Sequence, residues 1–377
     1  MNRARLASAL AILAVASLLF ASSAAAKLRT APDSRLQHQI EAVVDSKQGP
    51  PGIAMLISRA GHREFFGAGT AGGKLLPRPD LRFRIASVSK GLNAYIAAKL
   101  ANRGLTFDTT LESSISGTLP AGEAVTLRQL LQHTSGLPDY IRAPAFVEEF
   151  VADPTAYLSP LQLTGFVRDA PLEFAPGSKY HYSDTDNIAA ALMEEKAGGM
   201  SYQQLLAKLV FKPLGMSYSS LPVTPKLARP FLHGYDVEPG KHPEDVSEAL
   251  SPAGAWASGG IVSTPLDLSS FVRSYVPTML RATEDLDGRF RPGSSSPPGP
   301  GKNFAGLGIF AYRTPCGTVY GHTGSFPGYR VFIAASANGK RSVVFVANAQ
   351  IVPGQGSPKV AKAITRVQGA AVCRALS

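Results

Sequence analysis

Hydrophobic residues recur at helical spacing in some stretches of the chain, and in others they alternate with polar residues or form short runs. Apolar positions three and four residues apart predict a helix over 34–44. The stretch GIAMLISRAGHREFFGAGTAG, residues 52–72, predicts two strands around a turn at 60–62. A second helix is predicted over 89–104, where SKGLNAYIAAKLANRG combines apolar and good helix-forming residues.

From about residue 105 to 267 the pattern is mostly helical and is interrupted by proline and glycine. A stretch rich in Pro, Gly and Ser at 289–303 predicts a loop after this region. Strands then follow, and a helix over 357–376 ends the chain. The predicted helices of the middle region lie within 126–140, 159–170, 184–199, 201–215 and 263–276, and the predicted strands lie within 306–314, 317–324, 328–339 and 341–350.

Strands near both ends of the sequence and helices between them predict an α+β fold. The simplest arrangement is one antiparallel sheet built from both chain ends, flanked by helices, with a helical lobe inserted between its strands. We expect the sheet lobe to comprise about 27–80 and 290–377, and the helical lobe to comprise about 81–289.

The first 26 residues have the pattern of a secretory signal peptide. Arg3 and Arg5 precede an apolar run from Leu6 to Phe20, and three alanines end the segment before Lys27. A membrane anchor is the alternative, but the apolar run is shorter than the roughly 20 residues needed to cross a bilayer. We therefore expect an extracytoplasmic protein comprising residues 27–377 after cleavage, without a transmembrane anchor.

Composition narrows the classes of partner. The formal charge is +11, but the basic residues are scattered and form no run typical of nucleic-acid binding, so no nucleic-acid partner is expected. The charge favours either attraction to an anionic surface such as a cell wall or simply solubility.

Cys316 and Cys373 are the two cysteines of the sequence. In an exported protein they favour a disulfide, and without a nearby histidine cluster they make a poor zinc site. No metal site is predicted.

A first candidate for catalysis lies at the start of the predicted helix over 89–104. Ser87 precedes Lys90 by three positions, which places both side chains on one helix face. Lysine can activate a serine hydroxyl only when its amine is neutral. The alternative is a serine that caps a helix, followed by a surface lysine.

Two further stretches carry candidate residues. HYSDTDN contains Tyr182 and Asp184 before a predicted helix, where the alternative role of the tyrosine is packing. YGHTGSFPGY places His322, Thr323, Gly324 and Ser325 at the end of a predicted strand, where Gly324 would allow another backbone to approach closely. The alternative for this strand end is a surface histidine without a role.

In this order, Ser-x-x-Lys, Tyr-x-Asp and His-Thr-Gly resemble the motifs of the penicillin-recognising serine hydrolases, in the branch of D-alanyl-D-alanine carboxypeptidases and class C β-lactamases. LLQHTSGLPDY, PGSKYHYSDTDN and WASGGIVSTPLDL also resemble that family. The resemblance covers roughly residues 35–375.

The resemblance implies roles for individual residues. Ser87 would be acylated, Lys90 would hold or take its proton, and Tyr182 would transfer protons. His322 would occupy a position that other branches fill with lysine, and Thr323 and Ser325 would contact a substrate carboxylate. The N–H groups of Ser87 and Ser325 would form the oxyanion hole. Trp256 would lie near the cleft. No cofactor is implied.

Two positions depart from the family pattern. Asp184 replaces the usual asparagine, so it cannot donate a hydrogen bond when ionised, and it would raise the pKa of Lys90. Arg313 is the candidate for binding a terminal carboxylate, but it lies slightly late in its strand. These departures weaken the expectation of standard carboxypeptidase or β-lactamase activity.

The resemblance implies a monomeric D-alanyl-D-alanine carboxypeptidase that acts on peptidoglycan stem peptides or related small acyl substrates, with β-lactams as inhibitors or substrates. The alternatives are a class C-type β-lactamase, or an esterase or D-amino-acid amidase on the same scaffold. A non-catalytic cell-wall-binding protein is a further alternative, disfavoured because Ser87, Lys90 and Tyr182 are all present.

Overall fold

The computed structural model describes residues 28–30, 34–59, 61–101, 103–120, 122–285, 291–292, 299–352 and 356–377. The predicted signal peptide lies outside the described residues. The strands are β1 Leu28–Thr30, β2 Gly52–Arg59, β3 His62–Gly69, β4 Phe83–Arg84, β5 Tyr235–Asp236, β6 Glu244–Asp245, β7 Val262–Ser263, β8 Arg291–Pro292, β9 Lys302–Ala305, β10 Phe310–Thr314, β11 Gly317–Phe326, β12 Tyr329–Ala335 and β13 Ser342–Ala347.

Most of the helices lie between β3 and β8, as the sequence pattern predicts. The helices are α1 Ser34–Val44, α2 Ser89–Leu100, α3 Leu111–Ile115, α4 Leu127–Leu131, α5 Pro144–Ala152, α6 Pro160–Gly165, α7 Asp184–Gly198, α8 Tyr202–Leu205, α9 Lys212–Leu214, α10 Trp256–Gly259, α11 Pro265–Asp285 and α12 Pro358–Leu376. A π-helical segment, Leu206–Phe211, joins α8 to α9, and 3₁₀ turns cover Ala86–Val88, Tyr140–Arg142 and Pro252–Gly254.

In the described part of the chain, nine strands form one sheet in the order β1-β3-β2-β13-β12-β11-β10-β9-β8. Both chain ends contribute, because β2 pairs with β13 across the whole helical insertion. The α+β prediction is confirmed. The prediction of an antiparallel sheet holds for every pair except β1 and β3, which are parallel.

The central strands are buried on both faces, which explains why they appear in the sequence as apolar runs rather than alternations. One face packs against α1 and α12, and the other packs against α11, which in turn contacts α2. The sheet therefore separates two cores, and the core on the α11 side continues into the helical insertion.

Local sequence explains where several helices begin. Thr126 and Gln129 form a reciprocal capping box at α4, and Ser159 and Gln162 form another at α6. Asp184 begins α7, where a carboxylate is favoured by the positive end of the helix dipole. No helix in the described ranges is both long enough and apolar enough to cross a membrane.

Two predicted boundaries are wrong. The helix predicted to 104 ends at Leu100, because Ala101 turns into an extended conformation. The loop predicted over 289–303 contains β8 and the start of β9, while residues 289–290 and 293–298 lie outside the described residues. Pairing with the edge of the sheet overrides the local composition there, and Pro292 is tolerated because β8 is an edge strand.

Candidate active site

Ser87 lies in a tight turn between a short strand and a helix. It is half-buried, whereas its neighbours Ala86 and Val88 are buried. Ala86 has a φ of 53°, an unfavourable value for a residue with a side chain, and such strain is typical of functional turns. The preceding residue, Ile85, donates its N–H to the carbonyl oxygen of Ile261 at 3.0 Å, which holds the turn to the residue just before β7.

Lys90 lies beneath Ser87 and is buried, with a side chain 1% exposed. Its Nζ atom is 3.2 Å from the Ser87 hydroxyl, 2.6 Å from the Asp184 carboxylate and 2.8 Å from the Ser258 carbonyl. Three acceptors match the three N–H groups of an ammonium ion. This geometry excludes the alternative of a surface lysine.

The Asp184 carboxylate is ionised in this arrangement. Burial alone would raise its pKa, but the charge of the Lys90 ammonium and its hydrogen bond outweigh burial and lower the pKa. Lys90 and Asp184 thus form a salt bridge beside the candidate nucleophile.

Asp139 is a second carboxyl group close to Asp184. Its Oδ1 atom accepts the backbone N–H of Asp184 at 3.0 Å. Burial, helped by the negative charge of Asp184, raises the pKa of Asp139 to about 7. The turn that carries Asp139 is held to the start of α7 because the Thr185 hydroxyl donates to the Pro138 carbonyl at 2.7 Å.

Tyr182 packs beside Lys90, whose Nζ atom is 4.9 Å from the centre of the phenol ring. The phenol oxygen is buried and has no hydrogen-bond partner among the described residues. Burial raises its pKa well above the ordinary value; Asp184 adds to this shift and the nearby Ser87 hydroxyl opposes it, although the two hydroxyls are outside hydrogen-bond geometry. Tyr182 is therefore a neutral phenol next to Ser87.

His322 is buried, 1% exposed, which excludes the alternative of a surface histidine. Its Nδ1 atom lies 2.6 Å from the Thr323 carbonyl oxygen, so Nδ1 carries the hydrogen and donates it. Burial lowers its pKa to about 3. At this position, where other branches of the family would have lysine, the protein has a neutral group.

The rest of the His-Thr-Gly motif follows along β11. Thr323 is buried, and its hydroxyl has no hydrogen-bond partner in the described ranges. The Ser325 hydroxyl accepts a hydrogen bond from the Gln350 amide at 3.0 Å.

Gly324 explains how β11 reaches the nucleophile. A Cβ atom added at Gly324 would lie 2.4 Å from the carbonyl oxygen of Ile85 and 3.0 Å from the Ala86 side chain. The predicted close approach of a second backbone is confirmed. Because Ser87 and Ser325 each follow one of the touching residues, the two backbone segments are adjacent, and their assignment as an oxyanion hole stays a prediction.

The structure does not bring the two remaining candidates to this group. Arg313 pairs with Thr318 near the far end of β11, and its guanidinium lies 4.2 Å from the centre of the Phe304 ring. Trp256 is buried, and its ring packs 5.1 Å from the Tyr202 ring. Trp256 belongs to the same short helix as Ser258, so its contribution is to the framework around Lys90 rather than to an exposed cleft.

Several residues of the site were missed by sequence reasoning. They are Asp139, His133, Ser135, Asp186 and Ser258. The first three belong to LLQHTSGLPDY, which resembles the family as a stretch, but nothing local shows that it packs against the start of α7. Polar residues crowded into a short turn were the available signal.

Comparison with protein families matches residues 33–363 to the family described as Beta-lactamase. The chain belongs to the beta-lactamase family. Among curated members, it is similar to the D-alanyl-D-alanine-carboxypeptidase/endopeptidase AmpH of Escherichia coli (strain K12), with 29% identity over 240 residues, 60% of this chain and 58% of AmpH. It is also similar to penicillin-binding protein PbpX of Bacillus subtilis (strain 168), with 25% identity over 272 residues, 72% of this chain and 63% of that protein. The matched part thus spans about three fifths of each relative.

Among solved structures of this beta-lactamase fold, a D-stereospecific amidohydrolase from Streptomyces sp. matches with a TM-score of 0.73 and 27% identity, covering 88% of this chain and 97% of that one. A D-amino acid amidase from Ochrobactrum anthropi SV3 matches with a TM-score of 0.74 and 22% identity, covering 91% and 100%. The second likeness shows the fold alone.

The chemistry available at the site follows from its geometry. A half-exposed hydroxyl, a buried ammonium ion and a buried neutral phenol lie within a few ångströms of one another. These are the parts that acyl transfer to serine requires: a nucleophile and groups that can move its proton. The family and this arrangement are consistent with a serine hydrolase. In the described part of the chain, no group of three or more His, Cys, Asp or Glu side chains is placed to hold a metal ion.

Proposed function

We propose that this protein is a serine hydrolase that forms an acyl-enzyme at Ser87. Its substrates would be amides or esters whose leaving group carries no free carboxylate. The observation that carries this specificity is the buried, neutral His322. A free carboxylate is bound most strongly by a cation. Lys90 is engaged with Asp184, and Arg313 lies away from the site, so neither is available for that role.

In acylation the Ser87 oxygen attacks the carbonyl carbon, the bond to the leaving amine or alcohol breaks, and the proton of Ser87 moves to the leaving group. Lys90 begins as an ammonium ion that donates to Ser87, so it must lose a proton before it can act as a base. Tyr182 is a neutral phenol beside Ser87, and it can take the Ser87 proton while giving its own to the leaving group.

The acyl group is expected to have the D configuration. This part of the proposal is supported by the D-stereospecific amidohydrolase of Streptomyces, which matches nearly the whole chain. D-amino-acid amides and esters are therefore the first substrate class to test.

A D-alanyl-D-alanine carboxypeptidase is the second candidate. It is favoured by the similarity to AmpH, whose name records that activity. This function needs recognition of a terminal carboxylate, for which Thr323 and Ser325 would supply neutral hydroxyl donors.

We also propose that the protein acts outside the cytoplasm. Residues 1–26 have the pattern of a cleaved signal peptide, and the disulfide between Cys316 and Cys373 fits an oxidising compartment. Peptidoglycan fragments would then be within reach as natural substrates.

Two substrates that differ in one group test the proposal: acetyl-D-alanyl-D-alanine and its C-terminal amide. We expect kcat/KM at pH 7 to be at least tenfold higher for the amide, and no hydrolysis of either substrate by Ser87→Ala. A preference for the free acid would instead establish the carboxypeptidase. Absence of hydrolysis, together with absence of a Ser87 adduct in intact-mass spectra with 4-nitrophenyl acetate, would overturn the proposed function.

A further inference from the structure

His133 holds the chain on both sides of Tyr182. Its carbonyl oxygen accepts the N–H of His181 at 2.8 Å, and its Nδ1 atom lies 3.3 Å from the N–H of Ser183. Its ring lies against the Tyr182 ring, with centroids 4.4 Å apart and planes inclined by 35°. One buried histidine therefore contacts three consecutive residues, and the middle residue is the candidate proton-transfer group.

His133 is itself fixed by a chain of buried polar groups. Its Nδ1 atom lies 3.0 Å from Oδ2 of Asp186, in the first turn of α7. The Ser135 hydroxyl donates to Oδ1 of the same carboxyl at 2.5 Å and accepts the N–H of Leu137 at 2.9 Å. His133, Ser135 and Asp186 are 4%, 1% and 0% exposed.

The donors around His133 assign its hydrogen atoms. The N–H of Ser183 can only donate, so Nδ1 of His133 is an acceptor and the ring hydrogen is on Nε2. An unprotonated Nδ1 cannot donate to Asp186, so the 3.0 Å contact requires a hydrogen on the Asp186 carboxyl. Burial raises the pKa of Asp186 well above its ordinary value and lowers the pKa of His133 to about 3, which agrees with this assignment.

The network is therefore neutral, although it contains an acid and a base in direct contact. A neutral network exerts little electrostatic influence on Lys90 and Asp184, which lie next to it. What it supplies is a fixed orientation, because the Ser183 N–H and the Asp186 carboxyl share the lone pair of Nδ1 and the Ser135 hydroxyl holds the other oxygen of that carboxyl.

We propose that His133 is a positioning residue for Tyr182, and that the protonated carboxyl of Asp186 holds it in place by donating a hydrogen bond. This inference rests on the proposed role of Tyr182 in proton transfer. It assigns a function to the LLQHTSGLPDY stretch that neither the resemblance nor the active-site contacts of Ser87 and Lys90 provide.

Two substitutions of Asp186 test whether its carboxyl group donates a hydrogen bond to His133. Asp186→Asn keeps a donor toward His133 and an acceptor for Ser135, so we expect its kcat to stay within threefold of the unmodified enzyme. Asp186→Leu has a similar size but neither group, so we expect kcat to fall about 10- to 100-fold with KM changed less than threefold. His133→Phe keeps the ring contact but loses the acceptor, and we expect it to resemble Asp186→Leu.

Glu194→Met is the matched control. Glu194 is a fully buried acid on the same helix, and its carboxyl oxygens have no hydrogen-bond partner among the described residues. We expect kcat and KM to stay within twofold in this variant. Equal losses in Asp186→Asn and Asp186→Leu would overturn the donor role, and unchanged kcat in both Asp186→Leu and His133→Phe would overturn the positioning role.

A second measurement is independent of catalysis. Nitrogen chemical shifts of His133 in labelled protein at pH 7 should show Nε2 protonated and Nδ1 unprotonated, and Ser87→Ala should leave them unchanged. A protonated Nδ1 would overturn the inference. If the shifts agree but the enzyme hydrolyses no substrate and forms no adduct, the proposed function fails and the hydrogen-bond assignment stands.

Discussion

Lys90 lies closer to Asp184 than to Ser87: its Nζ atom is 2.6 Å from the carboxylate and 3.2 Å from the hydroxyl. With the Ser258 carbonyl as the third acceptor, the ammonium ion is fully hydrogen-bonded. The pair thus stabilises the lysine in the protonated form, which donates to the hydroxyl that it would have to deprotonate. The carboxylate at position 184 sets how readily this lysine becomes a base.

Replacing Asp184 by asparagine should make Lys90 a better base at neutral pH. Without the negative charge 2.6 Å from Nζ, the ammonium form of Lys90 is less stabilised than in the unmodified protein. We expect the acidic limb of the pH profile of kcat/KM to move to lower pH, and the rate at pH 7 to rise. Measurement from pH 5 to 10 checks this.

The control for that variant is Asp108→Asn, which removes an exposed salt bridge to Arg128. We expect its pH profile of kcat/KM to match that of the unmodified protein. An unshifted acidic limb in Asp184→Asn would contradict the role of the carboxylate in keeping Lys90 protonated, and a lower rate at every pH would mean that the carboxylate takes part in the reaction itself.

Asp139→Asn should change how stability depends on pH. An unfolded carboxyl ionises near pH ~4, whereas the pKa of Asp139 in the folded protein is about 7. Between these values the unfolded state has released a proton that the folded state keeps, so the unmodified protein loses stability as pH rises through this window, with no further loss above it.

The asparagine side chain of this variant does not ionise, but its oxygen can still accept the N–H of Asp184. Its free energy of unfolding, relative to the unmodified protein, should therefore increase by at least about 1 kcal/mol between pH 4.5 and 7.5. Urea denaturation at both pH values measures this. A difference that does not vary with pH would contradict the raised pKa.

Gly324→Ala should separate β11 from the turn that carries Ser87. The added methyl group would meet the Ile85 carbonyl oxygen at 2.4 Å, which forces the strand to move. A displacement near 1 Å at a reacting centre can cost about 100-fold in rate, and we expect a loss of that order in kcat/KM with a lower melting temperature.

Gly165→Ala provides the comparison, because a Cβ atom at this helical glycine has no neighbouring atom within 4 Å. It should leave kcat/KM unchanged and leave the melting temperature equal or higher. Normal activity in Gly324→Ala would mean that the contact between the two segments is unimportant for the reaction.

Removing the disulfide should affect stability and spare the site. Cys316 and Cys373 are 57 positions apart, and their Cα atoms are 5.2 Å apart. Closing a loop of this length contributes about 4 kcal/mol in the chain-entropy model. We expect the double variant Cys316→Ser/Cys373→Ser to lose up to that amount in chemical denaturation.

The kcat of that variant at 25 °C should be unchanged, because Cys316 precedes β11 and Gly324 lies near the other end of this strand, about 26 Å from Cys316 along the chain. Matching losses of activity and stability would show that the bridge also positions the site.

The sequence was sufficient to predict the elements that local pattern controls. The helices α1 and α7 begin where predicted, because their spacing and first-turn residues are local properties. The strands β8 and β9 were missed because β9 forms hydrogen bonds with β10 and β8 forms them with β9, and local composition contains no information about a partner strand.

In the candidate site, too, local contacts could be predicted from the sequence and contacts between distant residues could not. Ser87 and Lys90 are one helical turn apart, so their contact could be inferred from spacing. Asp184 was recognised as a departure from the family pattern, but its hydrogen bonds to Lys90 and to Asp139 join residues that are far apart in the sequence. The burial that makes His322 neutral depends on the packed core and could not be inferred from the motif.

The contact between Gly324 on β11 and the turn that carries Ser87 joins segments that are far apart in the sequence. Ser87 belongs to the first quarter of the sequence, but the strand that meets its turn through Gly324 is among the last to be synthesised. Contacts between such distant segments form late in folding, because the intervening chain must first be ordered. A partly synthesised chain therefore contains Ser87 without the strand that meets its turn, and under the proposed function we expect no acyl transfer until that strand is in place.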